Sequence, residues 1–260
     1  MKAALCIHGT VGRIYTNKKE YNWSGDVDYR IGLEHYKKHL LDVNDIDIFI
    51  HCWDTQYKDE IENDYKPKDS LFEKQIVFEP DNMRTNHQKS RWYSQKQVIN
   101  LKKEFEKENN FKYDYVMVSR FDQAFLIDLK FSDYDRNKFW APMDSETLQQ
   151  SQQTNLFLDY WFFSNSNNMD RFSTLYDNWQ NIQNWKAINW QNPPESCVPN
   201  CHVDSFIFAK SLKFDVGYAF REYKDHVLVR GVYENCQYAG ADYSGISQLN
   251  KFQIYPKERF

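Results

Sequence analysis

The sequence predicts an α/β fold, with a mostly parallel central sheet flanked by helices and a smaller region in its second half. Three observations predict it. Apolar runs that are continuous rather than alternating recur at Ala3–His8, Ile46–Ile50 and Tyr115–Val118, as expected of strands buried on both faces. Helical spacing separates them, at Asp26–Leu41 and again at His87–Lys107. The runs end in polar or charged residues, at the strand ends where open α/β sheets bind ligands.

The organising stretch is Lys112–Leu126, KYDYVMVSRFDQAFL. Its apolar core leads into Ser119-Arg120-Phe121-Asp122, a cation and a carboxylate at one strand end. Such charges are costly to bury unless they pair with each other, as a structural ion pair closing the sheet, or bind something.

The other elements follow in order. Ala3–His8 is the first strand and Gly9-Thr10-Val11-Gly12-Arg13 the loop after it. Its glycines allow close backbone approach and Arg13 can meet an anion, although ordinary turn chemistry explains glycines equally well. Ile31, Leu33, His35, Tyr36 and Leu40 give 26–41 a helical face, with Asp26 or Asp28 as its cap. Ile46–Ile50 then forms a parallel βαβ unit with the first strand and ends in His51-Cys52-Trp53-Asp54. His51 and Cys52 are adjacent on a strand and point opposite ways, which argues against a shared metal ion. A short helix is expected at Gln56–Tyr65 and a third strand at Gln75–Phe78. A long helix at His87–Lys107 has Trp92, Val98, Leu101 and Phe105 on one face. Ser90, Arg91, Ser94 and Lys96 fall at its start, a setting that favours an anion, or else a solvated polar face.

Beyond the central strand, Lys138–Pro142 reads as a strand and the Gln-rich 145–155 as a mobile loop. Leu158–Phe163 reads as an apolar strand interrupted by Asp159. Ser164 or Ser166 is expected to cap a helix containing Met169, Phe172, Leu175 and Tyr176. The Trp-rich stretch at 179–194 fits a carbohydrate-stacking edge or a core lid. Cys197, Cys201 and His202 are the nearest approach to a zinc cluster, but a second ligand pair is missing. Asp204–Leu212 reads as a short helix and Val227–Val229 as a late strand.

Composition narrows the function classes. Of the 260 residues, 27% are charged and 41% apolar, as in an ordinary globular protein. A net charge of -4 argues against a binder of nucleic-acid backbones. No run reaches transmembrane length, and MKAALCIHG has too short an apolar core for a signal peptide. The odd count of five cysteines does not suggest a disulfide framework, so the expected location is a reducing cytoplasm. Absence of repeats and of a Gly/Ser- or Pro-rich linker favours a single domain over 1–260.

Several segments together resemble a bacterial or viral family of GT-A type glycosyltransferases, the sugar transferases of surface polysaccharide assembly. They are the first strand with its Gly9 to Arg13 loop, DIFIHCWD (Asp47–Asp54), SRWYSQKQVINLKKEFE before YDYVMVSRFD, and LDYWFFSNSNNMDRFSTLY. They occur in the family's order over residues 1–176. The resemblance implies a GT-A-like (Rossmann-like) fold, with 1–130 as the nucleotide-sugar half and 131–260 as the acceptor half. It implies a nucleotide-sugar donor, a glycan acceptor, and work in the cytoplasm, including that of a virus-infected host cell, with peripheral membrane contact left open. It puts Gly9, Arg13 and Trp53 beside the nucleobase and ribose, and Arg91 and Lys96 near the phosphates. The family's acidic motif, Asp-x-Asp, holds a Mn²⁺ or Mg²⁺ ion on the diphosphate; the matching place here is Arg120-Phe121-Asp122. Arg120 can offset diphosphate charge itself, leaving Asp122 to hold either a cation or the ribose and Arg120.

Departure of a nucleoside diphosphate leaves negative charge on the phosphate oxygens, and an inverting transfer needs a base for the acceptor hydroxyl. Asp159 is the first candidate, as a buried carboxylate whose pKa burial would raise. Asp204 is the second, and His226 is a candidate late metal ligand. Two other readings compete. A sugar-nucleotide nucleotidyltransferase normally has a denser Gly-rich loop at the first strand. A non-catalytic carbohydrate-binding module is more often all-β.

Overall fold

The computed structural model describes residues 1–11, 29–143, 148–153, 156–189, 201–222 and 224–229. Its first half alternates strand and helix: β1 (Ala3–Gly9), α1 (Tyr29–Tyr36), β2 (Ile46–Cys52), α2 (Lys58–Tyr65), β3 (Asp69–Phe72), α3 (Met83–Glu108) and β4 (Tyr115–Arg120). After β4 come β5 (Gln123–Phe125), β6 (Phe139–Met143), α4 (Leu148–Gln153), β7 (Phe162–Ser164), α5 (Ser166–Phe172), α6 (Leu175–Asn189), α7 (Cys201–Ser211), β8 (Val216–Arg221) and β9 (His226–Leu228).

Seven strands form one sheet in the order β3-β2-β1-β4-β7-β6-β8. The pairs β2–β3, β1–β2, β1–β4 and β6–β8 are parallel, and β7 runs antiparallel to both β4 and β6. One reversed strand thus joins the first half of the chain to the second. The fold class expected from the sequence is observed as an α/β protein with a mostly parallel central sheet between helices. β5 and β9 pair separately as a two-stranded antiparallel ribbon.

Each face of the sheet has its own core. Leu5, Ile7, Ile50 and Met117 pack with Tyr29, Leu33 and Tyr36 of α1 and Ile61 of α2. Ala4, Cys6, Phe49, Val116 and Val118 pack with Trp92 and Val98 of α3 and with Met169, Phe172 and Phe208 of later helices. Helices following β1 and β2 therefore cover one face, while α3, which leads into β4, covers the other. The strand order reverses between β1 and β4, which makes the gap beyond their carboxyl ends the topological switch point. α1 lies directly on the chain leaving β4. A Cβ on Gly32 would lie 2.3 Å from the Phe121 carbonyl oxygen, so only glycine permits this contact.

Several expectations are corrected. The third strand is Asp69–Phe72, not Gln75–Phe78, whose Ile76 and Val77 are exposed. As an edge strand, β3 carries polar residues and lacks the apolar signature. α3 begins four residues earlier than expected, because the Asn82 side chain caps it by accepting from the Thr85 amide at 3.0 Å. The apolar stretch before β7 is strand only at Phe162–Ser164, and Asp159 lies in the turn that precedes it. α5 is capped by Asn165, not by Ser164 or Ser166. Residues 148–153, within the expected loop 145–155, are helical. β8 was not anticipated: Gly217 interrupts its pattern because the Trp140 ring lies across it, 2.5 Å from where a Cβ would be. No described helix is long and apolar enough to cross a membrane.

Candidate functional site

At the carboxyl end of β1, Ala4, Cys6 and His8 alternate onto the α3 face, so His8 continues the row that packs under that helix. His8 is in register with Arg120 at the end of β4. Gly9 follows with φ of 126°, and a Cβ there would have no neighbour within 4 Å. Among the described residues nothing fills the place of a Cβ at this strand end, and its conformation suits glycine.

Arg91 of α3 reaches over this end. Its Nη1 meets His8 Nε2 and donates to Gln95 Oε1 at 3.2 Å. Nη2 donates to the Asp159 carbonyl at 2.8 Å, and Nε lies 3.3 Å from Asp159 Oδ2. The other carboxylate oxygen of Asp159 is 2.8 Å from His202 Nδ1, at the start of α7. Arg120 grips Asp122 with two parallel bonds, Nε to Oδ1 at 2.8 Å and Nη2 to Oδ2 at 2.7 Å. Its guanidinium lies 5.9 Å from the Tyr160 ring centre. Tyr36 braces the strand end, donating to Ser119 Oγ or to the Arg120 carbonyl. Two guanidiniums, two histidines and two carboxylates are thus assembled from β1, α3, β4, the turn before β7, and α7.

The electrostatics follow from burial. Burial, helped by Arg91, pushes the His8 imidazole well below its usual pKa, so it is neutral at pH 7. Burial lowers Arg91 to about 10, against the pull of Asp159, and it stays cationic. Burial alone would raise Asp159; His202, Arg91 and Arg120 together override that and hold it well below the carboxylate range. This corrects the expectation of a raised pKa. A carboxylate held so low is a weak base, and Asp159 is better described as the anchor that fixes Arg91 and His202.

The structure separates other predicted site residues. Arg91 and Lys96 are five residues apart on α3, roughly 140° around the helix axis. Lys96 pairs instead with Asp177 of α6 at 2.6 Å. Neither residue lies at the helix N-terminus, so the expected anion setting there is not formed. Trp53, by contrast, stays beside Gly9, its amide donating to the Gly9 carbonyl at 3.0 Å, but its ring is buried, stacked on Tyr93 at 5.4 Å and edge-on to His51. Asp204 is turned into the α6–α7 interface, where it accepts from Lys186 and from Gln183 at 3.1 Å. Burial raises its pKa despite Lys186. Arg13 and Cys197 lie outside the described residues.

The metal expectation meets a specific obstacle. Both oxygens of Asp122 are committed to Arg120. His226, on β9, is packed among Phe125, Trp161 and Tyr160, and burial lowers its pKa to about 3. Among the described residues, no three His, Cys, Asp or Glu side chains converge as ligands. Among the described residues Asp122 is thus paired with Arg120 and has no second carboxylate or His ligand grouped with it. His51 bonds Ser94 and Glu73 on one face, whereas the Cys52 thiol, pushed up to about 12 by burial, sits in the core of the other. This is the alternation expected of neighbouring strand residues.

Sequence reasoning did not place His8 in the site and considered His202 only for zinc. The signal for His8 was the period-two continuation of Ala4 and Cys6. His202 had no such signal, because its partner Asp159 is 43 residues away.

A scan of protein-family models and a search of curated proteins find nothing that matches this chain.

Proposed function

We propose that the chain is a glycosyltransferase of GT-A-like architecture, moving a sugar from a nucleotide-diphosphate-sugar donor to a hydroxyl of a glycan acceptor. One observation carries this reading. Arg91 and Arg120 are fixed at the carboxyl ends of β1 and β4, beside Gly9, at the switch point of the sheet. Guanidiniums present paired donors that match phosphate oxygens, and their partners Asp159 and Asp122 hold them in place before a ligand arrives.

In this mechanism the donor diphosphate lies against Arg91 and Arg120, with the nucleoside towards Gly9. The anomeric C–O bond breaks, and its electron pair leaves on the diphosphate, where the guanidiniums stabilise the charge. Arg120 takes the role that a divalent cation has in the resembling family. Neutral His8 accepts from Arg91 and helps aim it without adding charge. The acceptor enters from the second half of the chain, past Tyr160 and α7. The free buried thiols of Cys6 and Cys52 fit the proposed cytoplasmic setting.

A thermal-shift screen of UDP-, GDP-, CMP- and dTDP-sugars, each with and without Mn²⁺, tests the reading. A ligand that binds only the folded state raises Tm by mass action. One nucleotide class is expected to raise Tm without Mn²⁺. A rise that requires Mn²⁺ would return the phosphate role to a cation. No rise with any donor would favour a glycan-binding protein instead.

A further inference from the structure

We propose that the side-chain amide of Gln88 binds a pair of neighbouring hydroxyls on the sugar being transferred, and so helps set which donor the site accepts; this rests on the transferase reading above. Gln88 lies in the first turns of α3 and is 3% exposed. Neither its Oε1 nor its Nε2 has a hydrogen-bond partner. Among the described residues it is the one buried side chain with both a donor and an acceptor left unpaired. Burying an amide in that state costs free energy, and buried polar groups are normally bonded. An amide left open in both senses is suited to a ligand that supplies both partners.

The course of α3 shows where this amide stands. The helix runs antiparallel to β1 and β4. Glu106, near its end, accepts from the Tyr113 amide just before β4, whereas Arg91 meets His8 at the carboxyl end of β1. Lys102, Ile99, Gln95 and Gln88 form one buried row along the helix. The other polar members of that row are bonded: Lys102 donates to Glu106, Ser166 and Asp170, and Gln95 accepts from Arg91. Gln88 is three residues before Arg91, roughly 4.5 Å further along the axis. The row therefore carries it past the end of β1, over the switch point of the sheet.

Its place relative to Arg91 selects the group it meets. Gln88 is turned roughly 60° from Arg91 towards Trp92, which packs edge-on against Phe172 of α5. Ser94 is turned by the same angle the other way and bonds His51 of β2. With the diphosphate on Arg91 and the nucleoside towards Gly9, Gln88 stands on the sugar side of the phosphates. It is within the span of about 5–6 Å that separates neighbouring side chains on a helix. A phosphate offers acceptors alone and would leave Gln88 Oε1 unpaired. Two hydroxyls complete the amide, one donating to Oε1 and the other accepting from Nε2. Such a grip discriminates between sugars, because an epimer turns one of the two hydroxyls away and leaves a buried group unpaired.

The test is a thermal-shift titration of wild-type protein and Gln88→Met with UDP, GDP and dTDP, and with UDP-glucose, UDP-galactose, GDP-mannose and dTDP-glucose. Each nucleotide sugar is compared with its own nucleoside diphosphate. In the variant, affinity for the diphosphate should stay within about threefold of wild type. Affinity for the nucleotide sugar should fall roughly 10–100-fold, the worth of two neutral hydrogen bonds. The ligand-free variant should melt no lower than wild type, because Met removes an amide that the fold does not use. Should Met fit poorly, Gln88→Leu, also apolar and of similar size, is read against the same ligands. An unchanged affinity for the nucleotide sugar, or an equal loss for sugar and diphosphate, overturns the Gln88 assignment alone. So does a ligand-free Tm lowered by more than about 4 °C in both variants, which would show that the amide serves the fold. Wild-type protein that binds none of these ligands overturns the transferase reading and this assignment with it.

Discussion

Asp159→Asn is the most informative single change, because one carboxylate holds both Arg91 and His202. Asn keeps the shape and removes the charge. The Arg91 side chain is 11% exposed, so its guanidinium would be left nearly buried without a counter-ion. Breaking such a pair costs about 3–5 kcal/mol. Arg91 keeps its bonds to the Asp159 carbonyl at 2.8 Å and to Gln95 at 3.2 Å, which favours the lower end, about 3 kcal/mol. For a chain of this length that corresponds to a fall in Tm of roughly 6–12 °C. The dependence on pH carries a definite sign. The folded-state pKa of Asp159 is depressed, so its stabilisation is fully present above the unfolded value near 3.9 and is lost as pH falls towards the folded value. The gap between wild type and variant should therefore be constant from pH 5 to 7 and narrow below about pH 4. Urea unfolding monitored by tryptophan fluorescence measures it. A Tm within about 2 °C of wild type, or a gap that closes already near pH 6, would refute the ion-pair account.

Three other changes test separate parts of the structure. Gly32→Ala forces a Cβ to within 2.3 Å of the Phe121 carbonyl, and calorimetry should show a loss of about 1–3 kcal/mol with weakened donor binding, since that carbonyl joins Arg120 to Asp122. Lys96→Ala breaks a partly exposed pair with Asp177 and a cation–π contact with Tyr176, so stability should change by less than about 1 kcal/mol, and an unchanged donor-induced Tm shift would confirm that Lys96 is not a phosphate ligand. The third is acidification, which acts through His8 and His226, both with folded-state pKa values depressed below 6.5. Between the two values the unfolded chain binds more protons, so stability falls with falling pH. For His226, at about 3 when folded, the loss between pH 7 and pH 5 is roughly 2 kcal/mol, and a flat stability profile over that range would contradict a buried neutral His226.

The strands of the first half of the chain were legible because Ala3–Gly9, Ile46–Cys52 and Tyr115–Arg120 are buried on both faces and so read as continuous apolar runs. Edge and second-half strands were harder. β3 is short and polar, and β8 contains the glycine that Trp140 requires. Among site residues, Arg120 was found through charge at the end of a buried run, and Arg91 through an expected place at a helix start that in fact lies at Met83. Asp122, two residues from Arg120, was read together with it, but the partner of Arg91 was not. The pairings Arg91–Asp159 and Asp159–His202 span 68 and 43 residues, and no local pattern encodes which long-range partner a charge will meet. The same gap explains the error over Asp159: burial alone raises a carboxylate pKa, and only the structure shows the cations that reverse it. Lys96 was misplaced for a geometric reason, since five residues on a helix put it roughly 140° from Arg91, towards Asp177 of α6.

The most direct test of the central claim is release of nucleoside diphosphate from a panel of nucleotide sugars by wild-type protein and by Arg120→Lys. Lysine keeps the charge and loses the fork that grips Asp122 and would grip phosphate oxygens. The account predicts that wild type consumes one class of donor without added Mn²⁺ and that Arg120→Lys is at least about tenfold slower, equivalent to about 1.4 kcal/mol of lost transition-state stabilisation. Release from no donor, with or without Mn²⁺, would contradict it.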